Sequence, residues 1–184
     1  MPWLKKDSSE PLTVAMTGIK LGDRVLIVGV SDTALIAALA IKAGLTGRTC
    51  IVDTRESEVT RAAATVEREG ALVESAVAPL TTLPYEAAAF DVAVLRDVLG
   101  PAAAHDRAGI AAQIVRVLRP GGRCLVIETA VKAGLGGLVS RSINAEFHAG
   151  GGATPLLLEV GFAAVRTLAE RAGLTFTEGV KRNK

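Results

Sequence analysis

The residues best equipped for chemistry stand at the ends of apolar runs. The stretch "RVLIVGVSDTALIAALAIKAG", Arg24 to Gly44, reads as a hydrophobic strand, a sharp turn and an amphipathic helix, the arrangement with which nucleotide-type cofactor sites begin. Gly29, Val30, Ser31 and Asp32 form that turn. Asp32 has a second reading, as the N-cap of the helix that follows. Asp53 closes the apolar run "RTCIVD", with Thr54 after it. A carboxylate there is poorly placed for a core and well placed to accept both hydroxyls of a ribose; the alternative is that it caps a helix starting near Glu56. Arg96 and Asp97 close "FDVAVLR", and Leu80 lies in "AVAPLTTLPY". The residues available as a general base are Asp97, His105 and His148. Each also has an ordinary reading: Asp97 in a turn, His105 exposed on a helix, His148 as a polar loop group.

Elements that would bring these positions together can be read from the periodicity. Strand-length apolar runs recur as "RVLIVGV", "RTCIVD", "ALVESAV", "FDVAVLR" and "RCLVIET", with Ala-rich helical segments between them. That alternation predicts βαβ units and a parallel sheet covered on both faces. "ESEVTRAAATVEREG" is expected to be a helix ending at Gly70, and "AAAHDRAGIAAQIVRVLRPGG" one that stops at Pro120. "GFAAVRTLAERAGLTFTEGVK" suits an antiparallel hairpin around "RAG". The fold class is therefore α/β, Rossmann-like: a seven-stranded, mainly parallel sheet with helices on both faces and a C-terminal antiparallel hairpin. In an open sheet of this kind ligands bind outside the carboxyl ends of the strands, where Gly29 to Asp32, Asp53 to Arg55 and Arg96 to Asp97 would converge.

The chain has 184 residues, 49% of them apolar, enough for one domain with a full core. The reading is an N-terminal segment at 1–19, a partial lid, and a single domain at 20–184 that carries a glycine-rich loop at 130–152. Twenty-one basic residues against 19 acidic ones are scattered, and aromatics make up 3%, which excludes a stacking platform for nucleic acid. Cys50 and Cys124 sit in apolar runs without C-x-x-C spacing, and no metal site is expected. The polar N-terminus and the interrupted apolar stretches predict no secretion signal and no integral membrane contact, hence a cytoplasmic protein.

From about Lys20 to Lys181 the chain resembles the class I S-adenosylmethionine-dependent methyltransferases. "RVLIVGV" is similar to their first motif, "CIVDTRESEV" to the second strand with its acidic end, and "LPYEAAAFDVAVLRDVL" to the segment into the fourth strand. "VRVLRPGGRCLVIE" is the most specific match. The small-molecule branch, the ubiquinone and menaquinone biosynthesis methyltransferases, is the subgroup it resembles. The resemblance implies S-adenosylmethionine as cofactor and methyl transfer to a small, apolar or quinone-like acceptor. It implies cofactor contacts at Gly29, Val30, Ser31, Asp32, Asp53, Thr54, Leu80 and Arg96.

The sequence departs from the family pattern at Ile27, Ser31 and Thr33 in the first motif, and at Pro79, where the family carries an adenine-binding Asp. Ile27 stands where an acidic residue anchors the cofactor's ammonium. Loss of two charged hydrogen bonds at about 1.5–3 kcal/mol each predicts a weakened affinity. Two further readings stay open: a dinucleotide dehydrogenase, because "GVSDTA" can be laid on G-x-G-x-x-A, and a catalytically inactive member that works through a protein partner or as a homodimer. The segment "VKAGLGGLVSRSINAEFHAGGG", with Leu138, Val139, Ile143 and Phe147 between glycines, is expected to be a mobile loop and a lid over the acceptor.

Overall fold

The computed structural model describes residues 11–130 and 143–183. The elements run α1 (Leu12–Thr17), β1 (Arg24–Val28), α2 (Thr33–Ala43), β2 (Arg48–Asp53), α3 (Glu56–Arg68), β3 (Glu74–Val77), β4 (Phe90–Arg96), α4 (Ala104–Val117), β5 (Leu118–Thr129), α5 (Ile143–Ala149), α6 (Ala153–Glu159), β6 (Phe162–Arg171) and β7 (Leu174–Lys181). They build one seven-stranded sheet in the order β3-β2-β1-β4-β5-β7-β6. β1 to β5 are parallel; β7 pairs antiparallel with both β5 and β6. This is the α/β architecture that the alternating runs predict.

Central β1 shows why those runs are continuous and not alternating. Val25 and Ile27 face the core under α1, α2 and α3, while Leu26 and Val28 face the core under α4 and α6, so both sides of the strand are dry. α3 is amphipathic, with Val59, Ala62 and Val66 buried, and Gly70 follows its C-cap at φ +81°, as its glycine predicts. β6 and β7 turn at Ala172 and Gly173, both with positive φ, which matches the twist of a tight hairpin.

Two expectations are corrected. α4 ends at Val117, ahead of Pro120: Leu118 is already extended and fully buried opposite Phe90, and a residue before proline is disfavoured in helical conformation. The strand expected at "ALVESAV" is only Glu74–Val77, a mostly exposed edge. Within the segment read as 1–19, Val14 and Ile19 are buried in the first core and Thr17 is buried beside them. Of the expected loop and lid, 131–142 with Leu138 and Val139 lies outside the described residues. The remainder holds α5, with Phe147 in the second core, and leads into α6.

Candidate functional site

β1 is the switch point of the sheet, with β2 on one side and β4 on the other. Immediately after it, Gly29 adopts φ +86° and donates its N–H to the Val52 carbonyl at 3.0 Å. A Cβ at this position would lie 2.6 Å from the Arg96 carbonyl oxygen and 2.9 Å from Val98 Cγ2, so the turn after β1 touches the end of β4 only because residue 29 has no side chain. Beside this contact opens a cavity of about 610 Å³. Its wall takes Gly29 to Ser31 from the turn after β1, Asp53 to Arg55 from the end of β2 and the turn beyond it, Pro79 to Thr81 from the segment after β3, and Arg96 to Val98 from the end of β4 and the turn beyond it. Pro101, Ala102, Asp106 and Ile110 complete it. A cavity of this size suits a cofactor-sized ligand. A hollow of about 520 Å³ between α2, β2 and residues 70–74 opens at the opposite end of the strands, away from these turns.

Asp53 is 7% exposed and borders the larger cavity. Its carboxylate accepts from the backbone N–H groups of Val30 at 3.3 Å, Thr54 at 2.8 Å and Arg55 at 3.2 Å, and from Arg55 Nε at 3.3 Å. Burial raises its pKa, but these bonds outweigh burial and hold it below the ordinary carboxylate value, so it stays charged. It does not cap α3, whose N-cap is Arg55 without a side-chain bond. Asp32 does cap α2, accepting from Leu35 N at 3.0 Å, and its other oxygen lies 3.6 Å from Arg96 Nε. Arg96 thus stands between Asp32 and Asp97, at the floor of the cavity.

A family model described as a methyltransferase domain matches residues 26–126, more than half of the chain. The chain belongs to the methyltransferase domain family. It is 31% identical over 116 residues to the ubiquinone/menaquinone biosynthesis C-methyltransferase UbiE of Bordetella parapertussis, covering 63% of this chain and 44% of that protein. The chain thus spans less than half the length of this curated relative. Among solved structures it is similar to an S-adenosylmethionine-dependent methyltransferase from Aquifex aeolicus, with TM-score 0.75, 17% identity, and 91% and 87% of the two chains covered. It is similar as well to a complex of the Haloferax volcanii Trm112 methyltransferase activator with a methyltransferase, with TM-score 0.71, 18% identity, and 94% and 87% covered. The class I, S-adenosylmethionine-dependent methyltransferase resemblance read from the sequence is thereby shown, and the hairpin after β5 sets the fold apart from a two-halved dehydrogenase.

Of the three residues considered as bases in this methyltransferase fold, Asp97 lines the cavity and the two histidines do not. Asp97, at φ +51°, accepts from Thr129 N at 2.6 Å and Thr129 Oγ1 at 2.9 Å and is paired with Arg96. It ties the ends of β4 and β5 together. His105 is 83% exposed beside Asp106, and of the two it is Asp106 that lines the cavity. His148 bonds through Nε2 to the Thr129 carbonyl at 3.2 Å, outside the cavity wall.

Glu128 is the residue to which the sequence reading assigned no role. It is 2% exposed; its Oε1 accepts from Leu99 N at 2.9 Å and Gly100 N at 3.2 Å. Arg107 donates from the other side to the carbonyls of the same two residues, at 2.8 and 3.1 Å. The loop after β4, whose Val98 lines the cavity, is therefore clamped on both its N–H and its C=O groups. Burial chiefly, with a contribution from Asp97, pushes the Glu128 carboxyl up to about 7 against the pull of its backbone bonds. The available signal was a charged residue closing the otherwise apolar "RCLVIET".

Proposed function

We propose that the chain binds S-adenosylmethionine at the turns after β1, β2, β3 and β4 and transfers its methyl group to a small, apolar or quinone-like acceptor. The observation that carries this reading is the convergence of Gly29 and Asp53 on one cavity at the carboxyl ends of adjacent parallel strands. Gly29 with Val30 and Ser31 gives the backbone approach, and Asp53 with Thr54 receives the ribose hydroxyls once the 60%-exposed Arg55 side chain swings away. Leu80 packs on the adenine, and Arg96 with Asp32 closes the floor. The cofactor supplies a methyl group already activated on a sulfonium. The protein's task is then alignment of the acceptor, for which Val98, Pro101, Ala102 and Ile110 offer an apolar wall. The acceptor class follows what the Bordetella relative's name says of that protein. Ile27, fully buried in the first core, leaves the ammonium without its usual carboxylate, so binding is weak.

Calorimetry with S-adenosylmethionine and S-adenosylhomocysteine is the test. The expected dissociation constant is about 100 μM, roughly −5.5 kcal/mol. Asp53→Ala should weaken it by about 1–3 kcal/mol, whereas Asp53→Asn, which keeps one acceptor oxygen, should weaken it less. Absence of heat at millimolar ligand would remove the enzymatic reading. What would then stand is the second reading, a member that acts through a protein partner or as a homodimer, favoured by Ile27, Ser31, Thr33 and Pro79 and by the likeness to a methyltransferase bound to an activator. We place the protein in the cytoplasm. Among the described residues no helix is long and apolar enough to cross a membrane, and Cys50 and Cys124 are free thiols that burial pushes up to about 11 and 12.

A further inference from the structure

Five charged side chains line the cavity proposed for the cofactor, and four of them are already engaged. Asp53 holds three backbone N–H groups and the Arg55 side chain. Arg96 stands between Asp32 and Asp97, and Asp97 also takes the N–H and hydroxyl of Thr129. Both cations of the cavity are thus spent on other carboxylates. The fifth side chain is Asp106. Its carboxylate is half-exposed, and its one polar neighbour among the described residues is His105 Nε2, 3.6 Å from Oδ1 and beyond hydrogen-bond distance. Water satisfies such a group in the free protein, so it carries no burial cost there, and a ligand in the cavity can reach it.

α4 brings Asp106 to the place where the apolar wall meets the segment after β3. Gly109 and Ile110 follow it by three and four residues and so share its face of the helix. A Cβ on Gly109 would already touch Thr81 Cγ2 at 3.4 Å, so helix and segment close on each other there. In that segment Pro79 has no N–H, and its carbonyl accepts from Thr82 N at 2.9 Å. The N–H groups of Leu80 and Thr81 have no partner among the described residues. This corner of the cavity therefore sets donors from the chain after β3 near an acceptor on α4, with Leu80 and Ile110 as apolar surface beside them. A planar base with a ring nitrogen next to an exocyclic amine answers that pattern, because the nitrogen accepts and the amine donates.

We propose that Asp106 accepts the hydrogen bond of the 6-amino group of the cofactor's adenine and is the residue by which the site prefers adenine to a purine without that amine. This inference rests on the binding of S-adenosylmethionine in the same cavity. Asp106 is a specificity residue in this role and takes no part in the methyl transfer. It is also dispensable for the helix, since the N-cap of α4 is Ala103 with no side-chain bond.

The test titrates the full chain with S-adenosylhomocysteine and with its 6-deamino analogue, in which purine keeps the ring nitrogen but carries hydrogen in place of the amine. Amide chemical shifts are the readout, since they follow millimolar binding and report the fold of each variant. The wild type is expected to prefer S-adenosylhomocysteine about tenfold, the low end for a charged acceptor because Asp106 is half-exposed. Asp106→Ala should weaken S-adenosylhomocysteine by about the same factor, leave the analogue unchanged and so erase the preference. Asp106→Asn keeps an acceptor oxygen without charge and should retain about a threefold preference. Binding of both compounds alike by the wild type, or a preference that survives Asp106→Ala, would leave the cofactor reading standing and overturn the role of Asp106. Equal weakening of both ligands in Asp106→Ala would make the residue a structural support and overturns it too. Should Asp106→Ala not fold, an undiminished preference in Asp106→Asn has the same force. If the wild type binds neither compound at millimolar concentration, the cofactor reading itself fails and this assignment with it.

Discussion

Gly29→Ala should destabilise the protein by about 2–4 kcal/mol and abolish the heat of S-adenosylmethionine binding. Two costs combine at this position. The first is torsional, because φ +86° is a conformation that L side chains rarely adopt. The second is steric: the new methyl carbon would stand 2.6 Å from a backbone carbonyl that is fixed by the β4–β5 pairing and cannot rotate aside. Gly161→Ala separates the two. Gly161 has φ +94° with nothing within 4 Å of its would-be Cβ, so it should lose only the torsional part, about 1–2 kcal/mol. Urea unfolding of both variants gives the comparison. Equal losses would show that the contact between the β1 turn and the end of β4 relaxes freely, and that the cavity wall there is not set by residue 29.

Wild-type stability should fall as the pH rises from 5 to 8, by on the order of 3 kcal/mol, and Glu128→Gln should remove that slope. The sign follows from the Glu128 carboxyl, raised to about 7 in the folded protein from the ordinary 4.5. Between these values the folded state holds a proton that the unfolded state has released, so each step up in pH favours unfolding. The contribution is fully present below about 4.5 and lost above about 7. The paired carboxylates act in a different window: Asp91, held at about 2 because its bonds from Arg24 and Arg119 outweigh burial, stabilises above the unfolded value and loses that contribution only in strong acid. Equilibrium unfolding at pH 5 and pH 8 therefore isolates Glu128. A flat wild-type profile would mean that the carboxyl is ionised throughout and has a donor on Oε2.

The contrast between Gly29 and Glu128 also marks how far the sequence could be read. Gly29 and Asp53 were legible because each closes an apolar run, and a strand that ends at a glycine or an acid carries its position with it. The sheet, its parallel half and the hairpin follow from the same periodicity. Glu128 closes a run in the same way, but its work depends on the N–H groups of Leu99 and Gly100, a relation no local pattern records. Arg55 was hidden for a similar reason: composition does not tell that it bends back onto Asp53. α1 and α6, with six and seven residues, are too short to show a helical period, and packing against the cores makes them helices. The end of α4 is set not by Pro120 but by Leu118, whose burial opposite Phe90 is a tertiary contact that no local pattern records.

The strand order has a consequence for how this domain is made. β6 pairs with β7 alone among the described strands, while β7 lies between β5 and β6. Synthesis delivers β6 first. Until Leu174–Lys181 has left the ribosome, the ten residues of β6 have no strand to join, and Phe162, which ends 1% exposed in the second core, has no finished cavity to enter. A nascent chain paused between Arg171 and Lys181 thus displays an open β5 edge and an unpaired β6 together, the kind of surface that chaperones hold and that aggregates recruit. Completion of the sheet waits on β7, the strand that pairs with both β5 and β6.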